Sequence, residues 1–326
     1  MPEPPDRTAP NDLGAEPRTS AGVVVTLTAV QVAFASLAVV GKITLAAVPW
    51  PSLVLLRTLG ATAVFVAFKF ARREPWLPPP GERLAMLRLG LLGVFANQCL
   101  FLAGLRRTTA VNAALLMATI PLFTVLFAVA TGREPFRPRF AAGLAVAMSG
   151  LALVLRPERA ALGGGHLVGD AMVVANCAVY GVYLALARDA VVRHGGTAVV
   201  RWAFQSALPF ALAAGLGPTL ASAPTWSPAV RGAVAYILLV PTAFTYAANA
   251  LALGRAPASV VSVFIYLQPV LAVAMAALWA DRLSRLLGIS WAAEPITART
   301  LTGGALVLFG VAVATLRWKV RPPNDR

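Results

Sequence analysis

Charge is what this sequence has least of. Only 13% of its 326 residues are Asp, Glu, Lys or Arg, against 58% hydrophobic residues. A soluble chain of this length could divide into two domains, but it would carry about 25% charged residues. The composition therefore excludes a soluble protein and requires a polytopic membrane protein. Acidic residues are the scarcer sign, 13 against 28 basic ones, for a net charge of +15 and an isoelectric point near 11.3. In a soluble protein that balance would point to nucleic acid. Here the positive charge sits in short connections between apolar runs, where topology and anionic lipid account for it. No nucleic-acid partner is expected.

Reactive groups are equally sparse. The two cysteines, Cys99 and Cys177, lie in separate apolar runs without Cys-x-x-Cys spacing, so neither a disulfide nor a zinc site has support. They read as small apolar residues. The two histidines, His166 and His194, fall in connections. His-Glu-x-x-His, Gly-x-Ser-x-Gly and P-loop patterns are all missing, so no enzyme, metal or cofactor is expected. No Asp or Glu lies deep in an apolar run; Asp170 is expected to open the sixth run as a helix cap, and Asp189 to close it. A carboxylate relay for protons, or a counter-charge for a lipophilic cation, is not visible.

What the chain has in abundance is apolar runs of bilayer-spanning length. Ten are read, at 23–47, 52–70, 84–104, 109–131, 138–155, 170–190, 199–217, 229–253, 258–280 and 300–317. The fourth and fifth repeat as the ninth and tenth. At an offset of 148, residues 103–131 share six identities with 251–279, Pro121/Pro269 among them. At an offset of 160, residues 134–155 share seven with 294–315, including Glu134/Glu294, Gly143/Gly303 and Gly150/Gly310. The chain reads as a duplication, with repeats at 23–155 and 170–317, a Gly163-Gly164-Gly165 joint in the connection 156–169, a disordered tail at 1–22 and a basic tail at 318–326. Alternate connections carry 18 and 8 Lys and Arg, which places both termini on the cytoplasmic side. Five spans per repeat then insert the second repeat upside down, an arrangement of many secondary transporters. The expected fold is thus an all-α membrane protein of ten transmembrane helices in two inverted five-helix repeats. The prolines of spans four and nine are expected to act as bends.

The run GLRRTTAVNAALLMATIPLFTVLFAVATGRE and its echo ALGRAPASVVSVFIYLQPVLAVAMAALWA, together with the five-plus-five duplication, resemble the drug/metabolite transporter superfamily, specifically the EamA-type transporters. The resemblance covers about 23–317. It implies a central cavity and export of small metabolites, amino acids or drugs across the cytoplasmic membrane. One departure is the stretch DRLSRLLGISWAAE at 281–294, which intervenes between the ninth run and its Glu-Pro.

Polar residues at helical spacing mark candidate contacts with a substrate. They are Asn97 and Gln98 in the third run, Asn112 in the fourth, Tyr180 in the sixth, Tyr246 and Asn249 in the eighth, and Ser262 and Tyr266 in the ninth. In lipid such groups must face a partner helix or a wet cavity. Interhelical hydrogen bonds that only hold the bundle together are the alternative. Arg57 stands apart as an intramembrane charge. Its counterpart in the second repeat is Arg201, so a guanidinium that snorkels or binds carbonyls at a helix end would explain both. Lys42 reads as snorkelling. Glu134 and Glu294 read as structural rather than ion-coupling. Two positive charges and no carboxylate within the spans favour a neutral, zwitterionic or anionic solute such as an amino acid. The alternatives are an exporter of cationic drugs, a channel or a lipid-handling protein. The partners expected are therefore a small-molecule substrate and the bilayer; the residues say nothing of oligomeric state.

Overall fold

The structure is a computed structural model that describes residues 21–72, 74–131, 138–155, 166–253, 264–289 and 297–315. The two tails, the triple-glycine joint, Glu134, Glu294 and Ser262 lie outside the described residues. Those described are helical, with turns between and no strand. Six helical stretches are long and apolar enough to cross a membrane: Ala21–Thr44, Trp50–Phe70, Pro80–Arg107, His166–Val191, Gly196–Thr225 and Pro228–Asn249. Burial is inverted relative to a soluble protein. Gln31, Arg57, Gln98, Asn176 and Thr242 are buried, whereas Leu220, Val270, Leu278 and Phe309 are exposed. That distribution suits a bundle whose outside is lipid.

The chain opens with α1 (Ala21–Thr44) and α2 (Trp50–Arg72). The third run is not one regular helix. It consists of α3 (Arg83–Gly90), a wide π-helical turn at Leu91–Ala96, and α4 (Asn97–Arg107). The eighth run has the same construction, α10 (Pro228–Leu238), a wide turn at Leu239–Phe244 and α11 (Thr245–Leu253). The two wide turns are offset by 148 residues, the spacing at which the neighbouring sequences repeat. In the second turn the cause is Pro241. An α-helix would direct the N–H of residue 241 to Ile237, but proline has none, and the Thr242 hydroxyl donates to the Ile237 carbonyl instead, at 2.8 Å.

The fourth run is interrupted rather than bent. It divides into α5 (Ala110–Met117) and α6 (Ile120–Ala130), with a turn at Ala118–Thr119 between them. Pro121 therefore sits in the first turn of α6, where its missing N–H costs no hydrogen bond. Pro269 occupies the equivalent first turn of α12 (Leu267–Leu287), after the short 3-10 turn Phe264–Tyr266. The expectation of mid-helix prolines is corrected: both start a fresh helical segment. The last helix of each repeat is regular, α7 (Pro138–Leu155) and α13 (Ala298–Thr315), again offset by 160.

Between them, α8 (His166–His194) and α9 (Gly196–Ser222) are longer than the apolar runs suggested. His166 and His194 are the ends of α8, not connection residues. The extra stretch after the ninth run is in part helix. The chain stays helical to Leu287 and stops at Gly288, whose φ of +65° suits glycine. The Ile289 N–H bonds the Ser284 carbonyl and the Gly288 N–H the Arg285 carbonyl, closing the helix end.

α1 packs on α12 as α8 packs on α6, and α2 packs on α9. α7 packs on α13 through the glycines that the repeat shares. A Cβ at Gly150 would lie 2.6 Å from the Gly303 carbonyl, and one at Gly310 would lie 2.6 Å from that of Gly143. Residue 150 meets 303 while 143 meets 310, so the two helices run antiparallel with their backbones in contact.

Candidate functional site

Arg57 lies on α2 and is 3% exposed. Its Nε–H donates to the Thr242 hydroxyl at 3.0 Å, in the wide turn between α10 and α11. Among the described residues it makes no ion pair. Its repeat counterpart is held quite differently. Arg201 donates to the carbonyls of Pro75 at 2.6 Å and Trp76 at 3.0 Å and to the Gln205 side chain at 3.1 Å, and its Nε lies 3.6 Å from a Glu74 carboxylate oxygen. Carbonyl binding at a helix end therefore accounts for Arg201 and leaves Arg57 unexplained. A guanidinium carries five N–H donors, and at Arg57 one of them is engaged by a neutral hydroxyl.

Tyr246 follows Thr242 by four residues and lies within electrostatic range of Arg57 and of Tyr180 of α8. Its ring stands edge-on to Phe204 of α9, centroids 4.8 Å apart, and to Phe34 of α1 at 6.5 Å. Tyr180 and Tyr183 stack at 5.4 Å. Tyr183 in turn occupies the space over Gly93 in the first wide turn, where a Cβ would come within 2.2 Å of its ring. Below these rings Asn97 of α4 donates to Asn176 of α8 at 2.7 Å, and Asn176 donates to the Met117 sulfur at 3.2 Å. One polar constellation thus draws on α2, α4, α8 and the turn before α11, and it abuts the break between α5 and α6.

The remaining candidates divide. Gln98 is 1% exposed and neither end of its side-chain amide has a partner among the described residues. At an offset of 148 it is the counterpart of Tyr246. The Asn249 side-chain oxygen is likewise buried and unpartnered. Asn112 is not part of this group; it lies at the α4–α5 corner beside Asp170. Ser262 and the side chain of Tyr266 lie outside the described residues. Lys42 donates to the Arg106 carbonyl at 2.9 Å from an exposed position, which fits snorkelling. Cys177 is buried with its thiol on the Leu116 carbonyl, Cys99 is half-buried, and both are free.

Sequence reasoning misplaced Asp170. It is no helix cap, because α8 begins at His166; it lies in the second turn and is 1% exposed. The Thr108 hydroxyl donates to its carboxylate. The signal for this was the Gly169-Asp170 pair facing Gly104, since only backbone-close helices bury so short a side chain at a span's end. A second set of unforeseen partners, Gln268 donating to Gln31 at 2.6 Å, joins α12 to α1. A groove of about 480 Å³ between α1 and the α10–α11 segment, walled by Val25, Val32, Tyr236 and Phe244, opens to the outside of the bundle and contains no charged group. It is a lipid-facing crease, remote in chemistry from the Arg57 constellation.

Comparison with known proteins places this geometry. Residues 21–156 match the EamA-like transporter family. An uncharacterized transporter of Archaeoglobus fulgidus is 26% identical over 223 residues, 67% of this chain and 75% of that protein. A probable terminal-alkyne amino-acid exporter of Streptantibioticus cattleyicolor is 29% identical over 244 residues, 73% of this chain and 75% of that one. In fold, the chain is similar to a protein of known crystal structure, with a TM-score of 0.61 at 22% identity, over 91% of this chain and 96% of the other. A helical bundle with buried polar groups and an apolar exterior, a match of residues 21–156 to the EamA-like transporter family and similarity to relatives named as transporters identify a multi-pass membrane protein that resembles EamA-type transporters rather than enzymes.

Proposed function

We propose that this protein is a secondary transporter that exports a small carboxylate-bearing metabolite, amino acid-like and neutral, zwitterionic or anionic overall, across the cytoplasmic membrane by alternating access. The observation that carries the reading is Arg57, a buried guanidinium that donates to one hydroxyl at 3.0 Å and forms no ion pair among the described residues. A buried charge persists only where something compensates it, and a planar fork of donors matches a carboxylate. Tyr180, Tyr246, the Gln98 amide and the Asn249 side-chain oxygen, the last two without partners among the described residues, are the neutral hydrogen-bonding groups proposed to complete the site, with Asn97, Ser262 and Tyr266 as further candidates and Asn112 set apart beside Asp170. The relative named as an amino-acid exporter supports the same substrate class.

The proposed architecture is ten spans in two inverted repeats, 23–155 and 170–317, with both termini cytoplasmic. The offsets of 148 and 160 between equivalent elements and the antiparallel glycine contacts of α7 with α13 support it. The test is uptake into proteoliposomes of radiolabelled L-amino acids, L-propargylglycine included, beside ethidium and a nucleobase. Saturable, stereospecific uptake of an amino acid is expected. Uptake of ethidium alone would replace this reading with that of a cationic-drug exporter, and non-saturable flux would replace it with that of a channel.

A further inference from the structure

We propose that Asp170 is a proton-binding site, and that its protonation releases the α4–α5 corner from α8, making the proton the coupling ion of transport. The role in coupling rests on the transporter reading above; the proton site itself does not. Asp170 is the one carboxylate among the described residues that is buried, at 1% exposure. Ionisable groups within membrane helices are functional by default, because burying an idle charge is costly.

Its setting makes protonation consequential. α4 ends at Arg107, Thr108 is extended, and Thr109 caps α5 by accepting the Asn112 N–H at 2.9 Å. The Asp170 carboxylate holds both sides of this corner. Thr108 donates its hydroxyl to one oxygen, and the Asn112 amide lies 3.5 Å and 3.4 Å from the two oxygens. An ionised carboxylate is acceptor only and satisfies both donors; a protonated one turns one oxygen into a donor and sets it against the Asn112 amide. The backbones around it leave no slack. A Cβ at Gly104 would be 2.9 Å from the Gly169 carbonyl, and one at Gly169 would be 2.7 Å from the Thr108 nitrogen. The corner must therefore respond by moving α5. α5 runs to Leu116 and Met117, which accept from Cys177 and Asn176 of α8. Asn176 is bonded to Asn97 in the candidate site, so a short chain of contacts joins the carboxylate to that site.

Among the described residues of α1, α4 and α8, the other charged groups at this end are Arg106 and Arg107 of α4, His166 of α8 and Lys42 of α1. Lys42 donates to the Arg106 carbonyl, Arg107 to the Ala103 carbonyl, and the His166 Nδ1 lies 3.0 Å from the Arg107 carbonyl. α5, α6 and the 91–96 turn bring no ionisable residue, and those of α3 and α9 are at the opposite end. His166 is the rival titrating group, and a variant separates the two.

Hydrogen–deuterium exchange of the full chain in nanodiscs tests the site without any substrate. Peptides covering 104–117 are followed from about pH 5 to pH 8 and corrected for intrinsic exchange. Protection should fall in one step on acidification in the wild type and in His166→Gln, and be independent of pH in Asp170→Asn. Should Asp170→Asn fail to fold, Thr108→Val must move the step to higher pH, because the ionised form loses a donor. No step in the wild type, a step that survives Asp170→Asn, or one unmoved by Thr108→Val overturns the proton site. In proteoliposomes, Asp170→Asn should lower pH-gradient-driven uptake of L-propargylglycine by about tenfold, while gradient-free exchange stays within about twofold. Equal loss of both overturns the coupling role. If no amino acid is carried at all, the proposed function fails while the exchange step still decides the proton site.

Discussion

Replacing Arg57 separates a binding guanidinium from a structural one. Its Nε–H bond to Thr242 is neutral at the acceptor and 3.0 Å long. A substrate carboxylate paired with the same group would add charge-assisted hydrogen bonds, each worth about 1.5–3 kcal/mol. At about 1.4 kcal/mol per factor of ten, Arg57→Gln should raise the KM for an anionic or zwitterionic substrate by about 10–100-fold. Arg57→Lys keeps the charge but loses the planar fork, so it should fall between the two. Stability should move the other way. Among the described residues the buried charge has one hydroxyl as its hydrogen-bond partner, so Arg57→Gln should leave the melting temperature unchanged or raise it. The assay pairs initial uptake rates in proteoliposomes with thermal unfolding of the same preparations. A structural role would give the opposite pattern, a lower melting temperature with KM intact. That pattern, or a folded Arg57→Gln with unchanged KM, would refute the reasoning.

Other predictions follow from the packing. Gly150→Leu should separate α7 from α13, because even its Cβ would lie 2.6 Å from the Gly303 carbonyl, and overpacking of this kind costs about 1–3 kcal/mol; an unshifted unfolding midpoint in detergent would contradict the contact. Arg201→Ala takes one donor each from the Pro75 and Trp76 carbonyls and the neighbouring cation from Glu74, while Trp76 keeps the Trp202 Nε1–H and Glu74 the Thr197 hydroxyl, a loss of about 1–3 kcal/mol. Limited trypsin digestion should then cut the 69–83 segment faster than in the wild type, and an equal rate would argue against the clamp.

The sequence carried the scaffold better than the site. Pro121/Pro269, Gly143/Gly303 and Gly150/Gly310 were legible because duplicated backbone demands, a helix start and a close approach, select the same residue twice. The wide turns at 91–96 and 239–244 were not, since LLGVFA and LVPTAF share no residue at equivalent positions except the leading leucine. A π turn needs no particular side chain, and one copy achieves it through Pro241 while the other contains none. Helix ends were misjudged where polar residues belong to a helix: the span of α8 takes in His166, Asp170, Arg193 and His194, which hydropathy alone assigns to water. That error concealed Asp170, because a carboxylate four residues inside a helix looks, by composition, like one at its threshold.

The two arginines that the sequence pairs differ in what holds them. α2 and α9 are equivalent helices in contact, and each places an arginine near the same relative height, yet one is fastened to two carbonyls, an amide and a carboxylate, and the other to one hydroxyl. The difference originates outside both helices. Arg201 is met by the Glu74–Trp76 segment, whereas Arg57 is met by the turn that Pro241 opens, where the Thr242 hydroxyl already donates to Ile237 and has a lone pair left to accept from Arg57. Likewise Gln98 and Tyr246 follow the two wide turns at the same offset, yet one is an amide and the other a phenol. Two helices in contact thus carry arginines in different settings: Arg201 spends its terminal donors on two carbonyls and an amide, whereas Arg57, held by one hydroxyl among the described residues, is the guanidinium we propose for a ligand.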